Sequence, residues 1–255
     1  MTRRLFVTGA TGYLGRELVR RARAAGWEVD ETRIDVRDAE RVAAHLDRNR
    51  PDAVVHTAYR QDPPHAWSTN VDGSANVART AAALGIRLVH MSTDVVFDGR
   101  LGRPYREDDP PSPCTDYGRS KVEAERAVAA ACPPALLVRT SMIYGGPGFE
   151  PSKHESAARN PANTFFTNEI RSPIQLGDLA SALLELAQAD VGGPLHIAGA
   201  DDLSRAEFAE LVARGPVSRV PAPGDRPLDC ALDSGRARSL LRTRLRGARE
   251  VLAAY

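Results

Sequence analysis

A chain of 255 residues with 42% hydrophobic content can bury a sizeable core in one or two domains. Its 34 Lys plus Arg are balanced by 33 Asp plus Glu, for a formal net charge of +1, which argues against nucleic acid as a partner. No apolar run approaches the ~20 residues that cross a membrane, and the start of the chain lacks the apolar core of a secretory signal, so a soluble, cytoplasmic protein is expected.

The first two thirds alternate short apolar runs with helical patterns. Leu5-Phe6-Val7 predicts a strand, and Gly12 to Ala25 a helix with Leu14, Leu18, Val19 and Ala22 at helical spacing. Glu28 to Asp30 reads as a strand, Ala39 to Asn49 as a helix, Ala53 to His56 as a buried strand and Asn70 to Leu84 as a helix. Arg87 to Met91 and Leu136 to Arg139 are two more strands, with a helix from about Gly118 to Ala131 between them. Alternation at this spacing predicts an α/β fold, a doubly wound parallel sheet covered by helices on both faces.

Beyond Gly145 the pattern breaks into an irregular stretch over 145–163, rich in Gly, Pro, Ser and Asn. Gly177 to Ala189 is helical again and Leu195-His196-Ile197 strand-like. Ser204 opens another helix, with Glu207 completing a Ser-x-x-Glu capping box. Pro216 to Pro227 reads as a connector, and the basic segment from Ser234 to Tyr255 as one or two amphipathic helices with a solvated face. Cys114, Cys132 and Cys230 are odd in number and scattered, which fits neither a disulfide framework nor a metal cluster. No metal is expected.

Directly after the first strand stands Thr8-Gly9-Ala10-Thr11-Gly12-Tyr13-Leu14-Gly15. In a strand–turn–helix context this glycine triplet is a dinucleotide fingerprint. Gly9 permits the tight turn, Gly12 lets the backbone approach a pyrophosphate, and Gly15 lets the helix pack close. The helix N-terminus supplies N–H groups to the anion. At the adenosine end, Asp35-Val36 could contact ribose or adenine. Asp30 and Glu31 favour a free ribose 2′-hydroxyl, whereas Arg33 and Arg37 suit a 2′-phosphate; NADP(H) is favoured over NAD(H).

Only two of the 34 basic residues are lysines. One of them, Lys121, follows Tyr117 at Tyr-x-x-x-Lys, one helical turn apart on a shared face. An ammonium can exchange a proton where a guanidinium cannot. Ahead of the pair, a strand ends in Ser92-Thr93-Asp94, and open α/β sheets bind ligands at strand C-termini. The constellation predicts reduction of a carbonyl, with Thr93 orienting the oxygen, Tyr117 donating the proton and Lys121 lowering the phenol pKa while holding the nicotinamide ribose.

The glycine triplet, Arg50-Pro51-Asp52-Ala53-Val54-Val55-His56, Ser92-Thr93-Asp94, Val96-Phe97-Asp98-Gly99, Tyr117-Gly118-Arg119-Ser120-Lys121 and Arg139-Thr140-Ser141 together resemble the extended short-chain dehydrogenase/reductases. The nearest branch is the dTDP-4-dehydrorhamnose reductase-like, sugar-nucleotide-binding group. The resemblance implies a catalytic triad of Thr93, Tyr117 and Lys121, with Ala58 and Tyr59 joining the phosphate loop at the cofactor. It also implies a Rossmann domain (1–147 and 174–198) with a small substrate lobe (148–173 and 199–255), and reduction of a nucleotide-linked 4-keto-deoxysugar by a monomer or homodimer.

The chain departs from that group at Val95 and Met142, where aromatic residues are usual, and in Ala58-Tyr59-Arg60-Gln61-Asp62. Val95 and Met142 keep open a non-sugar carbonyl or imine substrate from secondary metabolism; a regulatory subunit that binds NADP without turnover is a separate alternative, against which Thr93 and the intact Tyr117-x-x-x-Lys121 pair argue. Asp94, Val95, Met142, Lys153 and Arg171 are the further candidates for contact with the substrate.

Overall fold

The computed structural model describes residues 2–61 and 64–253. Asp62, at the end of the departing stretch, and Tyr255 lie outside them.

Six strands form the central sheet: β1 (Arg4–Thr8), β2 (Glu28–Asp30), β3 (Ala53–His56), β4 (Arg87–Thr93), β5 (Leu136–Thr140) and the strand Gly193–Ile197. Their spatial order is Gly193–Ile197, β5, β4, β3, β1, β2. β1 pairs in parallel with both β2 and β3, and β3 with β4, so Phe6 lies beside Asp30 and Val54, and His56 beside His90. The continuous apolar runs of β1 and β3 are the signature of strands buried on both faces. The parallel α/β sheet expected from the alternation is present.

The chain divides into two compact units. The first holds Met1–Ser92, Asp116–Val138 and Ala180–Pro194; the second holds Thr93–Thr115, Arg139–Leu179 and Leu195–Tyr255. In the first unit, α1 (Tyr13–Ala24), α2 (Ala39–Asn49), α3 (Gly73–Leu84) and α4 (Asp116–Ala131) accompany the strands. Phe6, Val42, Leu46, Val54, Val77, Ala81, Leu88, Val128 and Leu137 make one core. Asp38 caps α2, its side chain accepting from Arg41 N. A π-helical turn at Ser68–Asp72 precedes α3, where the pattern predicts one continuous helix from Asn70.

The second unit contains α5 (Lys153–Ala158), α6 (Leu176–Leu186, which continues into the first unit), α7 (Arg205–Ala213), α8 (Gly235–Leu240) and α9 (Ala248–Ala253). Met142, Tyr144, Leu203, Phe208, Ala248, Val251 and Leu252 form a core here. The stretch 145–163 is not irregular throughout: Ser152 caps α5 and Glu155 reaches back, a complete capping box. Within the expected connector Pro216–Pro227, Ser218–Val220 pairs in parallel with Thr164–Phe166.

Glu155 does more than cap. Its buried carboxylate accepts from Gly145 N at 2.8 Å, Gly146 N at 2.9 Å and Ser152 N at 2.8 Å, tying the start of the stretch to the helix within it. Glu155→Ala leaves three donors without this acceptor, and unfolding by denaturant is expected to show a loss of about 3 kcal/mol or more. Wild-type stability in that variant would refute the assignment.

Candidate active site

The phosphate loop belongs to the first unit. Gly9 has φ +69°, and a Cβ there would lie 2.8 Å from Thr57 Oγ1 and 2.9 Å from Ala58 N. At Gly15 a Cβ would lie 2.2 Å from Gly9 O and 2.8 Å from Ala10 Cα, so α1 can approach the loop only with glycine there. Gly12 is exposed and a Cβ on it would meet Gly9 O alone, at 3.2 Å. Gly12 is also the N-cap of α1 with no side-chain cap, and the first turn carries no acidic residue. Thr11 is exposed and Tyr13 half-buried, while Leu14 points into the core. An uncapped, carboxylate-free helix start behind an exposed glycine turn fits a dinucleotide pyrophosphate.

Buried histidine chemistry braces this loop. Thr8 Oγ1 lies 2.6 Å from His56 Nδ1, and His56 Nε2 lies 3.0 Å from Ser74 Oγ. Burial, with the Lys121 charge nearby, lowers the His56 pKa to about 3, so the ring is neutral and serves as a structural bridge. Ala58, after β3, donates to Thr8 Oγ1 at 3.3 Å.

At the adenosine end the charges sort by their partners. Asp30 is held by His45 Nε2 at 2.7 Å and Glu31 by Arg23 at 2.9 Å. Asp35 takes Arg37 in a bidentate pair that holds its carboxyl at about 2. Val36 is buried in the core, and a Cβ on Gly73 would lie 2.6 Å from its Cγ2. Arg33 is exposed, and no ion pair involving it is found among the described residues.

Tyr117 and Lys121 stand in the first two turns of α4. Tyr117 is half-buried, its ring 6.0 Å from that of Tyr59, which is 49% exposed. Lys121 is 3% exposed and its Nζ donates to Met91 O at 2.6 Å. Burial lowers the Lys121 pKa to about 8, opposed by Glu125 one turn further along. Glu125 in turn accepts from Ser92 Oγ at 2.5 Å.

The sequence reading did not single out Asn70, which is 0% exposed. Its Nδ2 donates to Arg60 O at 2.8 Å and to Ser120 Oγ at 3.0 Å, and its Oδ1 accepts from Arg60 N at 2.8 Å. Asn70 thereby fixes the segment after β3 against the helix position next to Lys121.

The second unit gathers most of the other candidates around Asp94. Thr93 is buried; its Oγ1 donates to Asp94 Oδ1 at 3.1 Å and accepts from Val95 N at 3.4 Å. Asp94 Oδ2 accepts from Ser141 Oγ at 2.6 Å and lies 3.6 Å from Arg171 Nε. Arg171 also donates to the carbonyls of Ile170 and Leu228 at 2.6 Å and of Pro227 at 2.9 Å, which makes it a latch between chain segments. Val95 is half-buried. Met142 is 6% exposed, packed in the core, with its sulfur against Arg205. Lys153 begins α5 and is exposed. Among the described residues no group of three or more His, Cys, Asp or Glu is arranged to hold a metal, and no helix is long and apolar enough to cross a membrane.

The family described as RmlD substrate binding domain matches residues 3–255. The chain belongs to this family. Among its relatives, a dTDP-4-dehydrorhamnose reductase of Mycolicibacterium smegmatis is 36% identical over 280 residues, covering 99% of this chain and 84% of that protein. The crystal structure of a hypothetical dTDP-4-dehydrorhamnose reductase from Sulfolobus tokodaii superposes with TM-score 0.83 at 31% identity, over 95% of this chain and 96% of that one. The dTDP-4-dehydrorhamnose reductase of Bacillus anthracis, solved in complex with NADP, superposes with TM-score 0.88 at 24% identity, over 100% and 99% of the two chains. The extended short-chain resemblance therefore stands, in this RmlD branch, over essentially the whole chain.

Proposed function

We propose that this RmlD-family chain is an NADPH-dependent ketoreductase, acting in the cytoplasm as a monomer or homodimer on a carbonyl of a nucleotide-linked 4-keto-deoxysugar. The observation that carries the reading is the buried Lys121 ammonium, fixed on Met91 O and one turn from the half-buried Tyr117 on α4. The name of the Mycolicibacterium relative supports the sugar-nucleotide substrate class. Residues 148–173 and 199–255 serve the substrate in this reading.

When bound, NADPH supplies the hydride that reduces the carbonyl carbon. Gly9, Thr11, Gly12, Tyr13, Leu14 and Gly15 would hold its pyrophosphate end through the loop backbone and the start of α1, with Ala58 and Tyr59 as further cofactor contacts. Tyr117 protonates the developing alkoxide. Lys121 stabilises the phenolate that this leaves and holds the nicotinamide ribose, while Thr93 orients the carbonyl oxygen.

Asp30, Glu31 and Asp35 are all engaged by other side chains, which leaves Arg33 to read a 2′-phosphate. Arg33→Ala is expected to weaken NADPH about 10- to 100-fold in a fluorescence titration and to leave NADH nearly unchanged. Equal losses for both cofactors would remove Arg33 from the 2′-phosphate site.

The Lys121 shift sets a pH limit. The charged form predominates below about pH 8 and is lost as pH rises through that value. The pH profile of kcat/KM, which reports the free enzyme, is expected to fall on its alkaline side with an apparent pKa near 8. A profile flat to pH 10 would contradict an essential ammonium.

The deciding assay is NADPH oxidation across keto-sugar nucleotides and small ketones, with product analysis. Turnover on a nucleotide-linked keto-sugar supports the proposal. Saturable NADPH binding with no turnover on any carbonyl would place the chain among regulatory subunits instead.

A further inference from the structure

The arginines near Asp94 in the second unit differ in their partners. Arg171 pairs with Asp94 at 3.6 Å, and Arg226 pairs with Glu169, which is 3% exposed. Asp94 and Glu169 thus each have an arginine partner of their own. A third guanidinium, Arg205 at the first turn of α7, has side-chain contacts only with neutral atoms: His154 Nδ1, 3.2 Å from both of its terminal nitrogens, and the sulfur of Met142. No carboxylate forms an ion pair with it among the described residues.

Burial disfavours the Arg205 charge and Arg171 adds repulsion, with Glu169 and Asp94 compensating from a distance. His154 cannot compensate: burial together with Arg205, Lys153 and Arg171 lowers its pKa to about 3, so it is neutral and uncharged toward Arg205. Arg205 is half-buried, and a guanidinium drawn partly out of water beside neutral partners gains from the arrival of an anion. The position is specific, because Arg205 touches Met142, the neighbour of Ser141, whose hydroxyl donates to the same Asp94 carboxylate that accepts from Thr93.

We infer that Arg205, oriented by His154, is a specificity-determining residue that binds an oxyanion of the substrate, either the diphosphate of the nucleotide or a carboxylate on its sugar. The inference rests on the sugar-nucleotide reading above and deepens it. A guanidinium that now meets only neutral partners can exchange them for charge-assisted hydrogen bonds to either group.

Calorimetric titration of the protein saturated with NADP⁺ tests it, because no turnover is needed. The ligand pairs are dTDP against thymidine, and UDP-glucuronate against UDP-glucose. If Arg205 takes the diphosphate, Arg205→Met weakens dTDP tenfold or more and leaves thymidine unchanged. If it takes a ring carboxylate, dTDP is unaffected and the wild-type preference for UDP-glucuronate disappears. Unchanged NADP⁺ affinity in the variant separates either result from a general loss of structure, and Arg205→Gln is read in the same way if the Met variant does not fold. The inference is overturned if wild type discriminates within neither pair, or if the variants keep both preferences. A positive result without NADPH oxidation on any keto-sugar would reject the ketoreductase reading and keep the oxyanion site.

Discussion

Tyr117→Phe is expected to bind NADPH with nearly wild-type affinity while losing about 10²–10⁴-fold in kcat, the usual worth of a positioned general acid. The substitution removes one oxygen from a half-buried ring and leaves its place beside Tyr59 intact. Lys121 remains held by Met91 O, so the cofactor side of the site is undisturbed. Steady-state kinetics beside a cofactor titration separate the two effects. A matching collapse of NADPH affinity would mean that Tyr117 acts by packing, and undiminished turnover would remove the phenol from the chemistry.

The second large effect concerns the glycines of the phosphate loop, which are not equivalent. A side chain at Gly12 faces mostly open space, with Gly9 O at 3.2 Å as its nearest neighbour, so Gly12→Val leaves a folded protein whose loop no longer admits the pyrophosphate. NADPH binding is expected to disappear with the melting temperature little altered. At Gly15 a Cβ would sit 2.2 Å from Gly9 O, so Gly15→Val forces the phosphate loop and α1 apart and is expected to lower the melting temperature steeply as well. If Gly12→Val retained cofactor affinity, the loop would not be the dinucleotide site.

The legible parts of this protein are those written locally. Apolar runs of three residues, Leu5-Phe6-Val7 in β1 and Ala53-Val54-Val55 in β3, and helical spacing in between, dictate the parallel sheet because each element buries its own pattern. The glycine triplet and Tyr-x-x-x-Lys are likewise local, and the structure puts both in the first unit. One miss was also local: Ser152-x-x-Glu155 carries the same capping signature as Ser204-x-x-Glu207, but neighbouring Gly and Pro made its surroundings read as loop.

Other features had no local signal. Thr164–Phe166 finds its parallel partner at Ser218–Val220, more than fifty residues on. The bridge from Asn70 to Ser120 spans 50 positions, and Arg205 meets His154 across 51. From sequence Arg171 suits an anion or a structural ion pair equally, and its three backbone-carbonyl partners lie as far as 57 positions away. Such partners are set by how segments return to one another, which residue spacing does not record.

Reduction of a sugar-nucleotide ketone by NADPH can be followed by incubating the protein with dTDP-4-dehydrorhamnose and NADPH deuterated at the transferring C4 position, then locating the label by mass spectrometry and NMR. One deuterium is expected on carbon 4 of the product sugar, formed in step with NADPH oxidation and nearly absent with Tyr117→Phe. Intact NADPH with no labelled sugar, from a protein that binds both ligands, would contradict it.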